Sequence, residues 1–304
     1  MGYENWGDIV TEGVKRQGPL VIGIDPVHED IPDCFKRNNQ GTAGKIQSLR
    51  DYNTFLIDTI APHVGFIKPQ SAFFEALGSP GVDVLAQVMA HARQKGLRII
   101  LDAKRGDISS TAAAYAHAYL TPNGSNLEAD CLTINPFLGP DTVEPFVECA
   151  RKYGKGLFIL VKTSNPGGGW IQDLTVGGET VSQRIADKIA LWSQDCMSRS
   201  GLSPIGAVVG ATFAEEGARL RERMPQAILL TPGIGAQGGD AGVINMLRRG
   251  REDSVLVPIS RGITKVENIS VTPDEYRKTI IDRIQSFKKA LAMDAGNNQG
   301  RASC

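Results

Sequence analysis

Short apolar runs recur along the chain, each stopped by charge, glycine or proline, and each followed by apolar residues at helical spacing. The runs are Leu20–Ile24, Val64–Ile67, Ile99–Leu101, Cys131–Ile134, Leu157–Val161, Ile205–Val209, Ala227–Leu230 and Val255–Ile259. They are apolar almost throughout rather than alternating, as expected of parallel strands covered on both faces. Helices are predicted between them, for example from Leu49, Tyr52, Leu56 and Ile60, from Val82, Leu85, Met89 and Ala92, and over Ala214 to Arg223. The last helix carries the stripe Tyr276, Ile280, Ile284, Phe287 and Leu291, and an amphipathic segment, Trp6 to Lys15, precedes the first strand. Pro69 is expected to end the second strand, and Pro258 sits awkwardly inside the eighth. Two polar stretches, Val27 to Gln47 and Gly167 to Gly178, read as loops.

Eight strand-helix units without a break in rhythm imply a (β/α)8, or TIM, barrel, with one domain spanning residues 1–304 and a polar, frayed tail from about 296. An open doubly wound sheet is the alternative, but it would leave edge strands needing cover. In a closed barrel all strand ends meet at one rim. The polar residues there are Asp25, Lys68, Asp102, Lys104, Asn135, Lys162, Ser164, the glycine-rich stretch from Gly233, and Arg261.

Charge adds little to this picture globally. Lysine plus arginine (33) equals aspartate plus glutamate (33), so no overall field favours nucleic acid or an anionic membrane, and an anionic ligand must be held locally. No apolar run is long enough to span a bilayer, and the start, with Glu4, Asp8 and Glu12, does not read as a signal sequence. A cytoplasmic protein is expected. Five cysteines without paired spacing suit reduced thiols, and four scattered histidines offer no zinc pattern.

Local charge changes the picture more. The third strand runs into Asp102-Ala103-Lys104-Arg105-Gly106-Asp107, where alternation puts Asp102 and Lys104 on one face, Gly106 ends the strand and Asp107 can cap the next helix. An isolated D-x-K is most simply a strand-end salt bridge. With Lys68 at the end of the neighbouring strand, alternating charges surround one point, which favours a functional site. After strand seven, Pro232-Gly233-Ile234-Gly235-Ala236-Gln237-Gly238-Gly239 offers free amides, and Arg261 after strand eight adds a forked cation; a phosphate fits there better than a plain turn. The G-x-G-x-x-G within that loop suggests a dinucleotide, but Glu252 and Asp253 precede strand eight instead of ending it. Ser164 could read a polar ring edge or simply belong to a surface loop. Lys162 is a candidate Schiff-base lysine, since parity from Ser164 gives both the same facing.

Together, Gly23-Ile24-Asp25-Pro26, Phe66-Ile67-Lys68-Pro69, Leu101 to Ile108, Ser164-Asn165-Pro166-Gly167, Pro232 to Gly239 and Ser260-Arg261-Gly262-Ile263 resemble the orotidine 5'-phosphate decarboxylase family in its longer bacterial form. The D-x-K-x-x-D element alone is shared with metal-dependent sugar-phosphate decarboxylases. A silent phosphosugar-binding protein would keep only Gln237 and Arg261. The resemblance implies cofactor-free, metal-free decarboxylation of orotidine monophosphate to UMP, in pyrimidine biosynthesis, by a homodimer. It implies a charged network of Lys68, Asp102, Lys104 and Asp107, with Lys104 the proton donor to C6, and Asp107 and Thr111 reaching into the partner's site. It further implies that Asp25 and Lys68 hold ribose hydroxyls, Ser164 the pyrimidine, and Gln237, Arg261 and the Gly262 amide the phosphate.

Overall fold

The structure, a computed structural model, describes residues 2–37, 41–234 and 241–296. Eight parallel strands form its core: β1 (Leu20–Ile24), β2 (Phe66–Pro69), β3 (Arg98–Arg105), β4 (Cys131–Ile134), β5 (Gly156–Lys162), β6 (Ser203–Val209), β7 (Ala227–Leu230) and β8 (Val255–Ile259). Each pairs with its neighbours in the chain, and β8 returns to β1, so the sheet closes with no free edge. The helices are α1 (Trp6–Gln17), α2 (Thr42–Ile60), α3 (Ser71–Glu75), α4 (Ser79–Gln94), α5 (Ser109–Leu120), α6 (Pro140–Tyr153), α7 (Gly169–Gln172), α8 (Val181–Ser193), α9 (Ala214–Arg223), α10 (Ala241–Arg248), α11 (Arg261–Thr264) and α12 (Pro273–Gly296).

Strand alternation divides the core in two. Residues such as Leu20, Ile22, Ile67, Ile99, Leu132 and Ile159 pack outward against the helices. Val21, Phe66, Ile100, Cys131, Phe158 and Leu256 point inward, where α1 delivers Trp6, Val10 and Val14 against them. The indole of Trp6 meets the Phe66 ring edge-on at 6.1 Å. Gly156 permits this approach, because a Cβ there would lie 2.4 Å from the indole. The N-terminal helix thus fills the end of the barrel at which the strands begin, leaving the carboxyl ends as the open face.

The strands fall where the apolar runs predicted them, and the differences have local causes. Both prolines stay within the ladder: Pro69 lies opposite Ile24, and Pro258 opposite Val21. Val257 donates its N–H to Pro19 on the β1 side, so alternation turns position 258 toward β7, where pairing has already ended at Leu256 and Leu230. The missing N–H therefore costs no ladder bond. α2 begins at Thr42, inside the stretch expected to be loop, because its first turns are polar and carry no apolar stripe. The Gly167–Gly178 stretch is structured as well, holding α7 and the first strand of a small antiparallel pair, Thr175–Val176 with Glu179–Thr180. The polar tail beyond residue 296 lies outside the described residues.

Candidate active site

The site grows from an irregularity at the end of β3. Ile100 and Leu101 pair regularly with Cys131 and Leu132, but the next matched residues are Arg105 and Ile134. Four steps along β3 thus face two along β4, a bulge with two surplus residues. Lys104 takes up the excess with φ at +48°, the left-handed region that is costly for any residue with a Cβ. Thr133 of β4 occupies the gap: its hydroxyl accepts the N–H groups of Ala103 (3.0 Å) and Lys104 (2.9 Å) and donates to Asp102 Oδ1 (3.0 Å).

Asp102 is 6% exposed and receives further donors. Lys104 Nζ lies 2.6 Å from its Oδ1, while Lys68 Nζ (2.7 Å) and Gln70 Nε2 (3.1 Å) share Oδ2. Burial pushes the carboxyl up, but the two ammonium groups outweigh it and hold the group down to about 2. Lys68 is itself nearly buried, whereas the Lys104 side chain keeps 46% of its surface open. These three residues bring one negative and two positive charges to one spot, and all three line a cavity of about 820 Å³ at the carboxyl ends of the strands. Ser164 and Trp170, from the segment after β5, line it too. Gly210, just past β6, lets the backbone at Ser164 approach, since a Cβ there would lie 3.0 Å from it.

The other charges of the β3 run go elsewhere. Arg105 turns outward, its guanidinium 5.6 Å from the ring centres of both Tyr115 and Tyr119 and paired with Glu75. Asp107 does not cap α5, which starts at Ser109 with Ile108 before it; its Oδ1 accepts the Ile108 N–H at 2.7 Å. It contributes no oxygen to the Asp102 cluster within this chain, and Thr111 is exposed on the first turn of α5.

Lys162 is absent from the cavity wall. Leu160 pairs with Val208, but Lys162 pairs with Val209, so β5 carries one surplus residue and the facing inverts. The ammonium points at the helices, bound to Asp173 and to Glu216 (3.0 Å), and 4.5 Å from the centre of the Phe213 ring. A carbonyl substrate in the cavity has no access to it, which removes the Schiff-base alternative. Asp25 stands half-buried just beyond β1, with Oδ1 buried and without a hydrogen-bond partner. Arg261 and Gly262 begin α11, where Arg261 is exposed; neither they nor Asp25 belong to the described cavity wall. Gln237 lies outside the described residues. Sequence reasoning missed Thr133 and Gln70. Thr133 had a signal, a hydroxyl at an inward position of the otherwise apolar run Cys131-Leu132-Thr133-Ile134; Gln70 had only its place two residues after Lys68.

Residues 18–275, which carry every barrel strand, match the model of the orotidine 5'-phosphate decarboxylase / HUMPS family. The chain belongs to that family. An orotidine 5'-phosphate decarboxylase of Rhodopirellula baltica is 43% identical over 276 residues, covering 88% of this chain and 91% of the relative. One from Caldicellulosiruptor saccharolyticus is 40% identical over 299 residues, covering 94% and 98%. Solved structures agree on the fold. A crystal structure from Streptomyces avermitilis superposes with a TM-score of 0.79 at 33% identity, covering 96% of this chain and 98% of the other. The OMP decarboxylase of Leishmania donovani gives 0.69 at 28% identity, covering 93% and 98%. The family match begins just after α1, so the helix that fills the barrel floor lies outside it while the whole open face lies within.

Proposed function

We propose that this chain is a carboxy-lyase that converts orotidine 5'-phosphate to UMP and CO2 in pyrimidine biosynthesis, without a cofactor or metal, and that Lys104 delivers the proton. The observation that carries this reading is the buried carboxylate of Asp102, clamped between Lys68 and a half-open Lys104 on the cavity wall. Breaking the bond between C6 and the carboxylate leaves an electron pair on a ring carbon with no adjacent carbonyl to receive it. An ammonium at that carbon stabilises the developing charge electrostatically and then donates its proton, which completes the exchange of CO2 for hydrogen.

The charges fit this use. Lys68, Asp102 and Lys104 sum to +1, so a second carboxylate is needed for balance, and the substrate's own carboxylate or the partner's Asp107 supplies it. Two carboxylates about 4 Å apart repel by roughly 4 kcal/mol at an effective dielectric near 20. Large enzymatic rate enhancements need up to about 23 kcal/mol. Ground-state repulsion by Asp102 is therefore the smaller effect, and the ammonium of Lys104 together with closure over the nucleotide does most of the work.

Binding roles follow the same reading. Asp25 and Lys68 take ribose hydroxyls, and the unpartnered Oδ1 of Asp25 supports this. Ser164, on the cavity wall, reads the pyrimidine. Gln237, Arg261 and the Gly262 N–H hold the phosphate. The functional unit is a homodimer of single-domain cytoplasmic barrels in which Asp107 and Thr111 enter the partner's site. Ile108, next to Asp107 in the chain, and Phe137 and Leu138, after the neighbouring β4, are exposed apolar side chains that suit such an interface. No helix among the described residues is long and apolar enough to cross a membrane.

The test is the absorbance loss of orotidine 5'-phosphate with purified protein in chelator. Turnover that is unchanged by EDTA is expected. Turnover only with added magnesium would point to the metal-dependent sugar-phosphate class, and none under either condition would overturn the reading.

A further inference from the structure

We propose that Thr133 is the positioning residue of this site: its hydroxyl, locked between two strands, fixes where the Lys104 ammonium points. The inference rests on the role given to Lys104 above and extends it to a residue on the neighbouring strand.

A threonine hydroxyl has one hydrogen and two lone pairs. At 1% exposure, Thr133 uses all three. The amide hydrogens of Ala103 and Lys104 occupy the lone pairs, so the hydroxyl hydrogen is directed to Asp102 Oδ1. Thr133 lines the cavity, but its hydroxyl has no hydrogen-bonding capacity left for a ligand, which makes it a support for its neighbours.

What it supports is the least favourable stretch of backbone in the site. The two surplus residues of β3 have no partners on the β4 main chain, and without the hydroxyl their two partly buried amides would lose their protein acceptor. The left-handed Lys104 would lose the bond that holds its backbone, and Asp102 would lose one of the donors that fix its plane. One side chain thus sets both ends of the Lys104–Asp102 pair. Displacements near 1 Å at a reacting centre cost roughly 10²-fold in rate.

Valine has the shape of threonine without the hydroxyl, and serine has the hydroxyl without the methyl. In the full-length protein, Thr133→Val is expected to lower kcat roughly 10²-fold while KM for orotidine 5'-phosphate stays within about twofold. Thr133→Ser should keep kcat within about threefold of the parent. With kcat referred to the folded fraction seen by circular dichroism, a general loss of structure would not divide the two variants along the hydroxyl. If Thr133→Val fails to fold, Thr133→Ala, which adds no bulk, takes its place with the same expected split. Equal kcat in the valine and serine variants overturns the proposal. Lys104→Ala, measured alongside, separates the two levels: wild-type turnover in it overturns the Lys104 reading itself. An inactive Lys104→Ala beside a fully active Thr133→Val overturns only the role of Thr133.

Discussion

The ends of β3 and β5 are built alike and do opposite things. Each strand is buried and apolar along most of its length, each carries a lysine at its last or next-to-last position, and each departs from its neighbour's register just before that lysine. β3 carries two surplus residues, an even number, so the facing survives: Leu101 and Arg105 both look outward, and Asp102 and Lys104 look inward. β5 carries one, an odd number, and Lys162 turns away from the barrel interior. The chemistry diverges accordingly. Lys162 is fully buried, with two carboxylates and an aromatic face around it, and its charge is consumed in tying the segment after β5 to α9. Lys104 shares one carboxylate with Lys68 and keeps nearly half of its surface toward the cavity, so its ammonium still has donors to offer. Whether a strand-end lysine serves structure or chemistry depends here on the parity of a bulge.

The comparison can be broken most directly by removing each lysine. Lys104→Ala is expected to lower kcat for orotidine 5'-phosphate by at least about 10³-fold with the fold intact. A loss under tenfold, by direct absorbance assay, would erase the distinction. Asp102→Ala strands the nearly buried Lys68 ammonium, and a destabilisation of about 3–5 kcal/mol in denaturant unfolding is expected. Lys162→Met should act on stability instead: about 1–3 kcal/mol lost, since Asp173 and Glu216 can rehydrate in part, with kcat within a few-fold of the parent. A rise in KM would then report a loosened segment beside Ser164, whereas a collapse of kcat alone would assign Lys162 to the chemistry after all.

The smallest effect is in pH. Asp102 is held down to about 2 in the fold against an ordinary 3.8. A depressed carboxyl stabilises the folded state fully above its unfolded value, and this contribution, roughly 2 kcal/mol, is lost as pH falls through 3.8 toward about 2. Stability measured across that window should fall more steeply for the parent than for Asp102→Asn. Equal slopes would mean that the two ammonium groups do not hold this carboxylate.

Much of the molecule was legible beforehand. The eight apolar runs became the eight strands, because burial on both faces leaves its mark in every residue of a parallel strand. Lys68, Asp102 and Lys104 were found because charge directly after such a run is conspicuous. The polar first turns of α2 hid a helix, since periodicity shows only where one face is apolar. Asp107 was misread as a cap because the chain enters α5 through a left-handed Ser109, one residue later than a cap at Asp107 requires.

The amino-acid sequence by itself settled the strands, their order, the barrel and the family, for these follow from hydrophobic patterning and residue identity, which are local. The direction of each side chain at the rim belongs to the tertiary structure. Alternation fixes facing only while neighbouring strands stay in register, and register at a strand end is set by bonds to another strand. Thr133 across the sheet holds Lys104 inward, and a single extra residue against β6 sends Lys162 out.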